Sequence, residues 1–221
     1  MPTSRRAARA PYHHGALRQA LIDATESLLA ERGIEGFSLR EVARRSGVSA
    51  AAPAHHFGDA QGLLGVVATL AFDGLTEALA AGNRRGGDDP VARLREQGIG
   101  YVGFALRYPG RFGLMFRAPV EPNPPLERAG HAAFLMLEDG VRDLLGVARG
   151  EPLAPVQWTA LLAIWSVVHG FAHLALAGQF DAIAGPSGRD IYVLGLAAPL
   201  LQQQLDALAP PARARRRRMA A

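Results

Sequence analysis

Three groups of residues have types and spacings that could do chemistry. His169 and His173 stand four apart, so on a helix both imidazoles share one face and could hold a metal. No acid or cysteine lies between or near them, and the neighbourhood supports a polar handle in an apolar cavity instead. Gly98-Ile99-Gly100-Tyr101-Val102-Gly103 satisfies G-x-G-x-x-G, a spacing that cradles a dinucleotide only when a strand precedes it and a helix starts within it. The upstream PVARLREQ is a helical run already under way, so the match is spurious and the glycines make room for a ligand or a neighbouring helix. The third group is basic: Arg18, Arg40, Arg44 and Arg45, with His14, His55 and His56, crowd into the first quarter of the chain. Guanidinium groups fork onto phosphate and guanine. There is no G-x-S-x-G, no metal-ligand cluster and no acid pair in a pocket-forming segment, so no catalytic residue, metal or cofactor is expected and the chain does not read as an enzyme.

The element that must position the basic group is Phe37–Phe57, FSLREVARRSGVSAAAPAHHF. Ser38 followed three residues later by Glu41 predicts a capping box, with Phe37 and Val42 closing a hydrophobic staple. Leu39, Val42 and Ala43 then face inward and Arg40, Arg44 and Arg45 outward, at helical period. Ser46-Gly47 ends this helix, since glycine enters the left-handed conformation at no steric cost. Ser49 is the expected N-cap of a second helix through about His56. Such a helix-turn-helix lays its second helix in the DNA major groove.

Tyr12 to about Leu64 resembles the DNA-binding domain of the TetR/AcrR family of bacterial transcription regulators. The parts occur in that family's order: a first helix ALRQALIDATESLLAERG, then GIEGF, the two helices, His-Phe and a fourth helix. The segment IWSVVHGFAHLALAG, with Trp165, His169 and Gly170, resembles the ligand-binding domain named for its Trp-His-Gly motif in one branch of the family. The resemblance implies contacts to DNA from His14, Arg18, Ser38, Arg40, Ser49, Ala50, Ala51, Ala52, Ala54, His55 and His56, with Arg40 at a base-contacting position. The chain departs from the family in its reading helix, where alanines replace polar residues, Pro53 replaces a large aliphatic, and Ala60 stands where many members carry a phosphate-binding lysine. An alanine-rich helix has few donors, so Arg40 is expected to carry more discrimination than any residue of that helix. A solvated helix-face role for Arg40, and a packing or capping role for His56, are the competing readings.

Charge and hydropathy organise the rest. The chain has 221 residues, no cysteine and a formal net charge of +4. Arg5, Arg6, Arg9, Arg213 and Arg215 to Arg218 put the excess at the two ends, whereas residues 63–212 hold 11 arginines against 14 acids. Basic ends favour a polyanion. The run MPTSRRAARAP lacks an apolar h-region and is no secretory signal; with the absence of cysteine this fits a cytoplasmic protein. The expected organisation is a disordered basic arm (1–11), a helix-turn-helix DNA-binding domain (12–58), a ligand-binding and dimerisation domain (59–209) and a disordered basic tail (210–221).

The expected fold class is all-α, a three-helix N-terminal domain followed by a helical C-terminal domain, about nine helices in all. Helix 1 spans about His14 to Arg32 with Leu17, Leu21, Ala24 and Leu28 inward. Asp59 caps a fourth helix to about Ala81, ended by Gly82, with Leu63, Leu64, Val67, Leu70 and Leu75 as its apolar face. Asp89-Pro90 and Asn123-Pro124 each start a helix, a cap followed by proline at the first helical position; the second should end near Gly150. Residues 152–180 carry no charge, long enough to raise a membrane span. Gln157, Ser166, His169, His173 and two glycines within the segment, and Trp165 at its middle and not at an interface, favour a helix buried in a dimer interface. The last helix, Ser187 to Leu208, shows Ile191, Leu194, Ala198, Leu201, Leu205 and Leu208 as one stripe, with a kink expected at Pro199.

These parts predict a homodimer joined through the eighth and ninth helices as a four-helix bundle, bound to a pseudo-palindromic operator in double-stranded DNA and released by a small apolar effector. The cavity candidates are Tyr101, Phe104, Phe112, Met115, Phe116, Phe134, Trp158, Trp165 and His169; core packing is the competing reading of each. The alternative function is a helical small-molecule-binding or carrier protein with no DNA function. Salt-dependent binding to duplex DNA separates the two.

Overall fold

The computed structural model describes residues 13–117, 121–184 and 189–209, the side chains of residues 13 and 14 excepted. The expected basic arm and tail, and the expected start of the last helix at Ser187, lie outside them. Among the described residues the chain forms ten helices: α1 His13–Arg32, α2 Leu39–Arg45, α3 Ala52–Phe57, α4 Ala60–Gly86, α5 Pro90–Arg107, α6 Pro109–Met115, α7 Pro124–Leu145, α8 Pro155–Leu176, α9 Asp181–Ala184 and α10 Arg189–Leu208. The tenth element beyond the expected nine is the four-residue α9.

Helix starts follow local chemistry. Asp59 accepts from the Gly62 amide, Asp89 from Val91 and Ala92, and Asn123 from Leu126, each satisfying amides that the first turn leaves without a partner. Pro90 and Pro124 follow two of these caps, where no amide is needed. The expected capping box at Ser38 does not form: Ser38 makes no side-chain cap bond, and both carboxylate oxygens of Glu41 are held by Arg44 and Arg45 and do not reach back to the Ser38 amide. Ser49 is not the cap of α3 either; Ala51 is, and the Ser49 carbonyl accepts from the Ala52 amide. Pro53 therefore falls in the first turn and is buried.

Helix ends moved where tertiary packing decided them. Gly82 does not end α4, which runs four residues further. A Cβ at Gly82 would lie 2.5 Å from the Glu96 carbonyl oxygen, so this glycine is where the backbones of α4 and α5 cross. Helix α7 stops at Leu145, five residues before Gly150, because Gly146 takes the left-handed cap at φ 66°. α8 is Pro155–Leu176, shorter than the uncharged segment that contains it. α10 continues through Pro199, and its inward stripe is Val193, Ala197, Leu201 and Leu205. Ile191, expected on that stripe, is 80% exposed.

The core has three parts. In the head, Leu21, Ile22, Leu28 and Leu29 of α1 and Val42 of α2 pack with Leu63, Leu64, Val67 and Ala68 of α4 and Leu114 of α6. The head thus shares a wall with the body, and Leu17 and Ala24 sit at its edge, partly buried. Leu70, expected on the inner face of α4, is turned outward at 39% exposure. A central cluster joins Ala71, Leu75 and Leu79 of α4 to α5, α6, α8 and α10, and a distal cluster joins α5, α7, α8 and Leu205. Gly98 and Gly100, in mid-α5, face Leu201 of α10 and the Ala78 carbonyl of α4. They are helix-crossing points, and among the described residues no strand precedes them.

α4 and α8 each contain a stretch long and apolar enough to cross a bilayer, with mean hydropathy 1.6. α4 is spent on the head and body cores. α8 buries one face, Leu161, Ile164, Val168, Phe171, Ala172 and Ala175, in the body, while Leu162 and Leu174 stay about half exposed.

Candidate nucleic-acid interface and ligand cavity

The head is braced by a charge network that leaves one arginine over. Arg45 reaches back to α1 and grips Glu31 with both terminal nitrogens at 2.7 Å, while its Nε donates to Glu41 at 3.0 Å. Arg44 grips Glu41 through Nε and Nη2 at 2.7 Å. The Arg44 and Arg45 guanidiniums hold the Glu41 carboxyl down at about 2, and Arg45 with the Ser27 hydroxyl does the same to Glu31. Arg45, expected to face outward, is therefore a half-buried tie between α1 and α2. Among the described residues Arg40 makes no ion pair and is exposed. Of the three arginines on α2, it alone has its whole guanidinium available for another molecule.

Ser38, Arg40 and Ala50 border one shallow depression between the starts of α2 and α3. Ser49, Ala50, Ala51, Ala54 and His55 are exposed, and Ala52 and His56 partly so. The His56 ring is 5.7 Å from His55 and 6.3 Å from Phe57. Arg18 is exposed on α1 with its guanidinium 5.1 Å over the Phe57 ring, a contact that pins it beside the end of α3. The side chain of His14 lies outside the described residues.

The body holds a cavity of about 270 Å³ walled by α4, α5, α7, α8 and α10, with Phe116 at the end of α6. Of the nine residues expected there, Tyr101, Phe116, Phe134 and Trp165 line it. Phe104, Phe112 and Met115 do not; they are buried in the central core, where helix-to-helix packing already fills the space around them. Trp158 is 40% exposed and stacks on the outer side of Phe134 at 6.4 Å. His169 stands behind the wall, its Nδ1 2.7 Å from the Tyr101 hydroxyl. Burial lowers the His169 pKa, with His173 adding repulsion, and burial raises that of Tyr101 far above the ordinary tyrosine value. The pair is therefore neutral at neutral pH. His169 and His173 rings are 4.4 Å apart, and among the described residues no group of three His, Cys, Asp or Glu is placed to hold a metal.

Sequence reasoning missed much of the wall. Phe72, Leu75 and Leu79 of α4, Leu94, Gln97 and Gly98 of α5, and Leu201 with Leu205 of α10 all face the cavity. Periodicity places Leu75, Leu201 and Leu205 inward without marking a cavity, and Gly98 is expected to make room for a ligand or a neighbouring helix; of the others, Gln97 carried a usable signal, a polar residue on the inner stripe of a helix.

Head and body are fastened by α6. Arg111 pairs with Glu26 and Arg117 with Glu35, and a Cβ at Gly110 would lie 2.6 Å from the Leu29 backbone. This close approach lets α6 lie directly on α1.

Comparison with known proteins agrees with this architecture at both ends of the chain. Residues 21–67 match the family described as bacterial regulatory proteins, tetR family. Residues 94–214 match the tetracyclin repressor-like C-terminal domain. A solved structure from Rhodococcus sp. RHA1, described as a protein with unknown function, superposes with a TM-score of 0.69 at 32% identity, covering 88% of this chain and 98% of that one. PfmR, a TetR family transcriptional regulator from Thermus thermophilus, shares the fold at 19% identity and a TM-score of 0.62, over 85% of this chain and 95% of PfmR. The transcriptional regulator BetI of Burkholderia thailandensis is 38% identical over 78 residues, 35% of this chain. The match spans 40% of the length of that curated relative. Members of the family bind DNA operators and act as dimers. With one family model on the head and a second over more than half of the sequence, the chain belongs to the TetR family of bacterial transcriptional regulators.

Proposed function

We propose that the protein is a cytoplasmic homodimeric repressor that holds a pseudo-palindromic operator and leaves it when a small apolar effector fills the body cavity. The observation that carries this reading is the double duty of α4. Leu63, Leu64, Val67 and Ala68 belong to the head core, and Leu75 and Leu79 to the cavity wall. Leu64 and Leu75 are about 16 Å apart along one uninterrupted helix, so a displacement at the wall reaches the head through a rigid rod. In this reading residues 12–58 form the reading head, and residues 59–209 form the ligand-binding and dimerisation unit.

The dimer face is formed by α8 and α10. Leu162, Leu174, Ile191, Tyr192 and Leu200 are exposed along these two helices, and a Cβ at Gly170 or Gly195 meets nothing within 4 Å. A contiguous apolar face of this kind is costly in water, and a second copy covers it. Two copies then present their α3 helices to successive major grooves, roughly 34 to 36 Å apart. Arg40 reads a base, with Ser38, Ser49, Ala50, Ala51, Ala52, Ala54 and His55 along the groove, and His14, Arg18 and His56 on phosphate. An effector that fits one head separation better than the other shifts the population between them, and DNA must weaken effector binding by the same factor.

Selection of bound fragments from random duplex DNA supplies the operator, and fluorescence anisotropy then measures affinity against salt and against apolar compounds. Affinity should fall steeply with salt and fall again when a cavity-filling compound is added. A compound shown to bind the cavity while operator affinity stays constant would refute the coupling through α4.

A further inference from the structure

We propose that the cavity is selective for a neutral aromatic molecule that donates a hydrogen bond, an alkylphenol or aryl alcohol, and that Gln97 Oε1 is the acceptor that selects it. The inference rests on the cavity being the effector site, and it deepens that reading by naming the ligand class.

The Gln97 amide has a defined orientation. Its nitrogen donates to Asn83 Oδ1 at 2.5 Å and to the Met136 carbonyl oxygen at 3.3 Å. A backbone carbonyl only accepts, so it fixes which end of the amide faces it, whichever way the Asn83 amide is turned. Gln97 lines the cavity, whereas Asn83 and Met136 border a different depression. The oxygen is thereby left on the cavity side, with no protein donor among the described residues. No hydrogen bond from the described residues reaches that oxygen, and a ligand hydroxyl in the cavity would supply one.

The remaining wall narrows the class. Among the described residues no charged side chain lines the cavity, so a carboxylate would enter without a counter-charge and pay its full desolvation. The Tyr101 hydroxyl is already bonded to His169. Phe72, Phe116, Phe134 and Trp165 supply aromatic faces and edges, which favour a flat ring in edge-to-face or offset contact. A cavity of 150 Å³ takes benzene, so about 270 Å³ suits roughly eleven non-hydrogen atoms.

The test titrates the full-length protein, by calorimetry and by Trp fluorescence, with four probes of matched size: butylbenzene, para-propylanisole, para-butylphenol and para-propylbenzoic acid. In the wild-type protein the phenol should bind about tenfold tighter than the anisole, in which the donor is capped, and the acid should bind more weakly than either. In Gln97→Met, which keeps length and volume, the phenol-to-anisole ratio should fall to about one while anisole affinity is kept. Equal affinity of phenol and anisole for the wild type overturns the inference while leaving the effector cavity standing, and this comparison needs no variant to fold. A tenfold preference that persists in Gln97→Met also overturns it, since the acceptor must then be another group. Failure of all four probes, butylbenzene included, sinks the cavity as an effector site.

Discussion

Replacing Gly82 by alanine tests a close backbone approach between α4 and α5. A Cβ there would stand 2.5 Å from the Glu96 carbonyl oxygen, 2.7 Å from its carbon and 2.8 Å from the Gln97 nitrogen. All three are backbone atoms, so no side chain can swing away. Ordinary contact begins at 3.4 Å, and α4 and α5 must therefore part by about 0.9 Å in an interior packed as densely as a crystal. Overpacking of this sort costs about 1 to 3 kcal/mol, against which alanine returns about 1 kcal/mol of helix propensity. Because the obstacle is backbone, the strain falls at the upper end, and the net loss is about 2 kcal/mol. For a chain of this size that lowers Tm by about 4 to 8 °C. Gln97 and Leu79 lie within a turn of the crossing, so the cavity should widen and probe affinity should change as well. Gly113→Ala is the control, since its Cβ would meet nothing within 4 Å; there the propensity gain should stand alone, as unchanged or raised Tm. Calorimetry on both variants decides the matter. A Gly82→Ala protein melting at or above the wild-type temperature would show that the two helices are not held at backbone contact.

The charge brace in the head predicts a pH dependence. Glu31 and Glu41 sit at about 2 in the folded protein against an ordinary 4.5, so their contribution is complete above about 4.5 and is lost as pH falls towards 2. Arg45→Met should flatten the acid limb of stability against pH measured by urea unfolding, and an identical limb in the variant would count against the brace. Arg40→Ala should cost about 1 to 3 kcal/mol on the operator and relax preference at one base pair of each half-site; equal loss on operator and random DNA would make Arg40 a phosphate contact instead. His56→Ala should weaken all duplexes by a similar factor, and an operator-specific loss would contradict that role. Light scattering should give a dimer mass at micromolar concentration, and Leu162→Asp with Leu174→Asp should shift it towards monomer. A wild-type monomer at that concentration would remove the proposed α8 and α10 interface.

The sequence by itself determined the elements whose boundaries are set by neighbours in the chain. Asp59, Asp89 and Asn123 cap helices because a carboxylate or amide oxygen reaches an amide two or three residues on, a contact that needs no tertiary partner. Gly47 turns between α2 and α3 at φ 67° for the same local reason, and with these signals the head, the order of helices and the family were legible. What only the tertiary structure decided was every competition between a local partner and a distant one. Glu41 binds Arg44 and Arg45 in place of the expected capping box, and Arg45 turns inward because Glu31, fourteen positions earlier, waits on α1. Gly82 reads as a helix end until α5 is laid against it. The cavity was the least legible part, because its wall is drawn from five helices and its acceptor, Gln97 Oε1, is oriented by a carbonyl thirty-nine residues away. Periodicity marks a side chain as inward, but whether it meets another side chain or an empty volume depends on how the helices cross.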